Sequence, residues 1–468
     1  MTTAIQLTPQ DSVEQALELA AAAGAEGCVV LVAETSSANL RWANNTLTTN
    51  GAMRGSSLTV IATVGSGEGT AAGVVGRSSV TDESLRTVVE AAIAAARESS
   101  PAEDARPLVD GTVGPDWDEE PAETSVRVYE TLAPALGEAL ARAGKENRWL
   151  YGFADHQLTT LYVGSSTGLR LRYALPTGYI TTTGKSADLS QSAWVGAATR
   201  DFSDIDATAI DAELTRRLGW ASRSVSVEAG RHPTVLPPAA VADLTTYLYW
   251  EMEGRDAYEG RSVFSKPSGG TRVGDILSPQ PVNLRSDPHL AGLESLPFAV
   301  ARSSSGSSSI FDNGLTLTAT DWIRGGKLEN LLQSRFTAEL TGSAVTPPVD
   351  NYVLSVDGAT GSVDDLVAGL GNGLLLTCLW YIRTVDPQTL LLTGLTRDGV
   401  YLVENGEVTG AVNNFRFNES PVDLLGRFTG AGATVPSFSR EWGDYFPRSA
   451  TPPLLVPDFN MSSVSQAN

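Results

Sequence analysis

Two helical stripes bracket a run of β-branched residues within the first hundred positions, and this change of period limits the fold more than any bulk property. In DSVEQALELAAAAG, residues 11–24, Val13, Ala16, Leu17 and Ala20 recur at helical spacing behind an Asp/Ser start, with Gly24 as the stop. CVVLVAE follows as a short β-branched run, and LRWANNTLTTNG and SSLTVIATV continue it as strands with turns at Asn44, Asn45 and Gly51. Thr81, Asp82 and Glu83 then open a second helix in which Leu85, Val88, Val89, Ala92 and Ala96 form one apolar stripe. The pattern predicts two helices packed on a sheet.

Further along, Ser99–Glu123 concentrates Pro, Gly, Asp and Glu without either period and reads as a linker. A helix over about Val126–Gly144 precedes alternating segments such as LTTLYVGSSTGLRLRYALPTGYITTTGKS, which read as hairpins. From about Arg231 short β-rich segments surround one helix that begins after Pro237 and Pro238. SSSGSSS, Ser303–Ser309, reads as a flexible loop, and no fixed-period repeat occurs. The expected class is therefore α+β: an α/β region over 1–100, an acidic linker over 101–125, a mixed region over 126–228 and a β-rich domain over 229–468.

The 468 residues suffice for two or three cores without disulfides, and 42% hydrophobic with 19% charged residues is an ordinary globular balance. Cys28 and Cys378 lie far apart, and MTTAIQLTPQDSVEQ lacks a basic segment followed by an apolar run, so a cytoplasmic location is expected. No apolar stretch approaches the ~20 residues of a membrane span. A net charge of −21 opposes binding to nucleic acid, whose phosphates attract Lys and Arg.

The stretch that bears most on chemistry is AVADLTTYLYWEMEGRDAYEGRSVF, read as a helix carrying Glu251, Glu253 and Glu259. Taken alone, these carboxylates are either a catalytic cluster or a solvated face, and the solvated face is the simpler reading. The segment resembles the TldD/TldE peptidase family, also called PmbA or modulator of DNA gyrase, whose active members carry HExxxH here. This chain has WEMEGR. Further similar segments are RWANNTLT, VGDILSP, SDPHL, IFDNGLTLTATDWIRGGKLENLL and GVYLVENGEVTGAVNNFRFNES, while WYIRTVDP stands where active members have a glycine-rich GGGQVDP-like segment.

The resemblance places Trp250 and Arg255 at the two histidine positions and Glu251 at that of the catalytic glutamate. Indole offers only an N–H and guanidinium is always cationic, so neither replacement binds zinc. Five helical steps turn about 140°, so the motif also needs local distortion, for which Gly254 is suited. In active members a later cysteine supplies another ligand, and Cys378 lies in a comparable position. One thiol cannot hold zinc alone, and we read Cys378 as core. Trp380, Tyr381 and Arg383 are candidates for a peptide groove beside the altered motif, with packing as the alternative.

Other motifs are weaker. GSSTG, Gly164–Gly168, matches the G-x-S-x-G pattern but precedes the strand-like LRLRY and reads as a hairpin turn. His156, His232 and His289 lack metal-ligand spacing, and Asp312, Asp321 and Asp386 define no acid–base pair. GNGLLLT lacks the residues of a P-loop, and ENG at 404–406 reads as a tight hairpin turn.

The resemblance implies a TldE-like subunit without its own metal, working beside a TldD-like partner that carries HExxxH and zinc, with unfolded or short peptides as substrates. The alternatives are a noncatalytic peptide- or protein-binding module, and a stand-alone peptidase using an unrecognised site such as Cys378 with a distant base. If the motif is a degenerate zinc site with its surroundings retained, the double variant Trp250→His/Arg255→His binds zinc more tightly than the parent. Isothermal titration of the folded variant checks this, and unchanged affinity counts against a simple loss of ligands.

Overall fold

The computed structural model describes residues 7–67, 69–79 and 81–466. Met1–Gln6, on which the expectation of a cytoplasmic location partly rests, lie outside them. Helix α1 (Pro9–Ala22) begins at Thr8, whose hydroxyl accepts from the Asp11 N–H, and α2 (Asp82–Glu98) begins with a Thr81/Ser84 capping box. Between them run β1 (Gly27–Ala43), β2 (Thr46–Ser66) and β3 (Gly69–Ser78). After the linker come α3 (Leu132–Lys145), β4 (Trp149–Ser165), β5 (Arg170–Lys185), β6 (Ser192–Thr199) and α4 (Ala207–Trp220).

These six strands form one antiparallel sheet in the order β3-β2-β1-β4-β5-β6. The regions 1–100 and 126–228, distinct in sequence, thus share a single sheet through the β1–β4 pairing. Local periodicity cannot reveal a pairing between strands more than a hundred residues apart. Alternation then sorts the two faces. On one face Val30, Val32, Val60 and Ala62 meet α1 and α2, while Leu40, Trp42, Leu150 and Ile180 meet α3 and α4. On the other face Val29, Leu31, Ile61, Leu161 and Val163 pack against Phe298, Ile310 and Phe311 of the C-terminal region.

Both asparagine-centred turns form. Asn44 and Asn45 take φ of 50° and 58° between β1 and β2, and Asn405 and Gly406 take 53° and 81° in the ENG hairpin. Gly51, expected at a turn, lies inside β2, because the turn is completed by the two asparagines and the strand simply continues. GSSTG forms the hairpin turn between β4 and β5. The acidic stretch has no helix, but it is tied to the fold: Trp117 is buried, and Val113 bridges Arg170.

The C-terminal region builds two further sheets, of six and ten strands, with Ser224–Val225 of the middle region at the edge of the larger one, and its core is shared by both. Helix α5 (Pro238–Trp250) lies in that core, with every residue from Ala240 to Tyr249 buried. Short helices at Arg335–Thr341, Val363–Leu370 and Pro421–Arg427 add to the one expected; each is only two turns long, too short for a clear apolar stripe. The overall class is α+β, as expected. Among the described residues no helix is long and apolar enough to cross a membrane. Both cysteines are free and buried.

Contact between α2 and the sheet leaves no room at Gly73, where a Cβ would stand 2.1 Å from the Ala92 carbonyl oxygen and 2.3 Å from the Ala96 nitrogen. Gly73→Ala is therefore expected to lower stability by about 1–3 kcal/mol. Gly51→Ala, whose Cβ would meet nothing within 4 Å, should stay within about 0.5 kcal/mol of the parent. Urea denaturation midpoints compare the two.

Candidate functional site: the altered motif segment

The motif does not lie on one continuous helix. Helix α5 ends at Trp250, Glu251 follows as its C-cap, and α6 (Gly254–Tyr258) starts anew. Competing backbone pairing causes the break: the Leu332 N–H donates to the Met252 carbonyl at 2.7 Å and the Gly254 N–H to the Leu332 carbonyl at 3.0 Å. Gly254 lies against the buried Gln333 amide, which would have to shift for a Cβ that would stand 2.2 Å from its Nε2. Trp250 and Arg255 consequently belong to different helices.

Each serves a separate structural purpose. The half-buried Trp250 ring sits 5.3 Å from Trp442, 6.0 Å from Tyr445, 6.1 Å from Tyr247 and 6.2 Å from Phe446, all edge-to-face. Arg255 pairs with Glu103 at 3.0 Å and Glu259 at 2.9 Å, and its guanidinium lies 5.7 Å from the Phe336 ring. Glu103 belongs to the acidic linker, so the linker contacts the motif.

Glu251 is half-buried, and burial, followed by the charges of Glu253 and Asp256, pushes its carboxyl above the ordinary range. Glu253 is raised by burial too and accepts from Ser307 Oγ at 2.9 Å. The serine-rich segment expected to be flexible is held here. Ser304 and Ser309 donate to Asp104 at 2.5 and 2.6 Å, and Gly306 passes so close to Glu253 that a Cβ would lie 2.3 Å from its carboxylate. The serines find acidic partners far away in sequence, which composition does not disclose.

Cys378 is 0% exposed and packs against Trp194 and Phe438. Burial pushes its thiol well above the usual range. A metal takes the thiolate, so this environment opposes ligation. Among the described residues no group of three His, Cys, Asp or Glu side chains is placed to hold a metal. The residues at the motif do not fit zinc, being an indole in an aromatic cluster and a guanidinium in ion pairs, and the Cys378 thiol packs in a separate cluster with Trp194 and Phe438. No catalytic step through a metal is derived for this chain.

The residue that organises the site is Asp243, which the sequence reading passed over. Fully buried on α5, it accepts from Ser439 Oγ at 2.6 Å, the Glu441 N–H at 3.1 Å and the Leu379 N–H at 3.4 Å. Burial pushes its carboxyl up to about 7. Glu441 in turn accepts from the Ile382 N–H at 2.8 Å and pairs with Arg383 at 2.9 Å, while Tyr247 donates to the Ile382 carbonyl at 2.7 Å. A lone carboxylate in the apolar run AVADLTTYLY was the available signal.

This network sets the groove candidates beside α5. Tyr381 is 56% exposed at a bulged position with φ of 52°, and Arg383 is also open to solvent. Trp380 is half-buried against Arg440, whose guanidinium lies 4.6 Å from its ring and 4.8 Å from that of Trp194. Arg440 thereby bridges the N-terminal sheet and the C-terminal region. The histidines remain apart: His156 bonds Thr124 and the Arg200 carbonyl, and His232 the Glu228 carbonyl. Asp312 pairs with Arg335, Asp321 with Arg324, and Asp386 accepts from Thr389, each a local structural contact.

A family model for the C-terminal domain of PmbA/TldA metallopeptidases matches residues 229–463, half of the chain. TldE from Thermococcus kodakarensis superposes with a TM-score of 0.76 at 17% identity, covering 96% of this chain and 99% of that one. A Thermotoga maritima protein described as a modulator of DNA gyrase gives 0.76 at 16% identity, covering 97% and 100%. A Bacteroides thetaiotaomicron protein of the same description gives 0.74 at 16%, covering 97% and 98%. No curated protein matches. The domain match and the shared fold define a metallopeptidase-type protein. The chain belongs to the TldD/TldE (PmbA) family.

Asp243 supplies a pH test. Its folded pKa is raised, so the stability it contributes is fully present below the unfolded carboxyl value of about 4 and is lost as pH rises through about 7. Asp243→Asn is expected to flatten the fall in Tm between pH 5 and 8, read by thermal melts at several pH values. An unchanged slope would assign the fall to other groups.

Proposed function

We propose that this chain is a TldE-like subunit without its own metal, which completes the peptide chamber of a heteromeric cytosolic peptidase. The TldD-like partner supplies HExxxH and zinc, and the substrates are unfolded or short peptides. The single observation that carries this reading is the packing of the two former ligand positions: Trp250 is committed to an aromatic cluster and Arg255 to ion pairs. Neither is a vacant place waiting for an ion.

In such a complex the partner's zinc would polarise the scissile carbonyl and activate water. This chain's contribution would be to shape and hold. Exposed Tyr381 and Arg383, fixed through Glu441 and Asp243, are suited to contact an extended peptide beside the partner's centre. A noncatalytic binding module shares these groups and differs only in lacking a peptidase in its complex. The stand-alone reading through Cys378 is opposed by its complete burial, since a nucleophile needs access and a thiolate.

Native mass spectrometry of the endogenous complex separates these readings. The expected result is this chain metal-free beside a zinc-bearing HExxxH subunit. A zinc-loaded homomer would overturn the proposal, and a complex with no peptidase subunit would favour the binding module.

A further inference from the structure

Half of β2 has only one neighbour. Its inner edge pairs with β1 from Thr46 to Thr63, but on its outer side β3 covers only Ser57–Ser66. The Ser79 N–H reaches the Ser56 carbonyl, and among the described residues no backbone partner covers the outer edge of Thr46–Gly55. These ten residues span about 34 Å. All except Gly51 are exposed, with Leu47 at 49% and Met53 at 64%.

Exposed strand edges are ordinarily guarded by lysine, proline, an inward charge or a bulge. Thr46–Gly55 contains neither lysine nor proline, and its one charged side chain, Arg54, is paired with Glu123 at 2.5 Å. The register shift between Arg41 and Trp42 affects only the turn end. Thr49, Gly51, Met53 and Gly55 stand opposite Arg41, Asn39, Ser37 and Thr35 of β1, on the face away from the helices. A Cβ at Gly51 or Gly55 would meet nothing within 4 Å, so gaps alternate with the Thr49 and Met53 side chains.

Unpaired N–H and C=O groups along a straight strand are complementary to one thing, another extended backbone, and alternate gaps receive alternate side chains. Charge selects among such backbones. The chain carries a net charge of −21, so a second copy would bring like charge, whereas a neutral or basic peptide would not. We propose that the outer edge of β2, Thr46–Gly55, binds an extended neutral-to-basic peptide as an added strand. This rests on the reading of the chain as a peptide-handling subunit and adds a second peptide-binding surface besides Tyr381 and Arg383.

The test is hydrogen–deuterium exchange of the full chain with a ten-residue probe of alternating Thr and Val, with lysine at both ends. The outward-pointing amides of Thr46–Gly55, which alternate with those bonded to β1, should exchange rapidly in the free chain and slow by about tenfold or more at saturating probe, with Ser57–Ser66 unchanged. A glutamate-ended probe should protect less, and added salt should narrow the difference. In Leu47→Lys/Met53→Lys, two exposed positions gain the charges that guard natural edges, and protection should disappear while the melting temperature is kept. Protection of Thr46–Gly55 already complete in the free chain would show the edge covered by the chain itself or a second copy, and would overturn the proposal. So would no slowing at saturation, or slowing confined to other strands. A zinc-loaded homomer would sink the subunit reading yet leave the exchange result standing, and failed exchange would leave the metal analysis untouched.

Discussion

The carboxyl group of Asp243 supplies the buried polar contacts that join α5 to two neighbouring segments of the C-terminal core. It sits on α5, between the two C-terminal sheets, where unpaired charge is costly, so its hydrogen bonds must be kept. Those bonds reach the strand after Cys378 and the segment that carries Glu441 and Trp442. Through Glu441 they fix Ile382 and Arg383, and through Trp442 they support the rings around Trp250. One buried acceptor thus sets the relation between the altered motif and the exposed aromatic strand beside it.

The contact between the two halves has a comparable logic. The N-terminal sheet presents aliphatic residues to Phe298, Ile310 and Phe311, and Arg440 is clamped between an indole from each half. The acidic linker adds polar contacts, with Asp104 on the serine-rich loop and Glu103 on Arg255. Arg255, paired with Glu103 and Glu259, is thereby part of this frame. The fold is shared with structural relatives at only 16–17% identity.

Much of this was legible in the residues. The two N-terminal stripes, the asparagine turns and the proline start of α5 all follow from local pattern. Three features were not legible. The break after Trp250 depends on Leu332, the order of the serine loop depends on Asp104 and Glu253, and the single sheet depends on β1 meeting β4. Each is set by a partner that lies far away along the chain.

The amino-acid sequence by itself determined the helix and strand periods, the turn chemistry and the absence of zinc donors at positions 250 and 255, because these are properties of single residues and their near neighbours. Only the tertiary structure decided that Trp250 is packed, that Arg255 is paired, that Cys378 is sealed and that Asp243 governs the site. Burial and hydrogen-bond partnership are relations between distant segments, and a residue acquires them only when the sheets close around it.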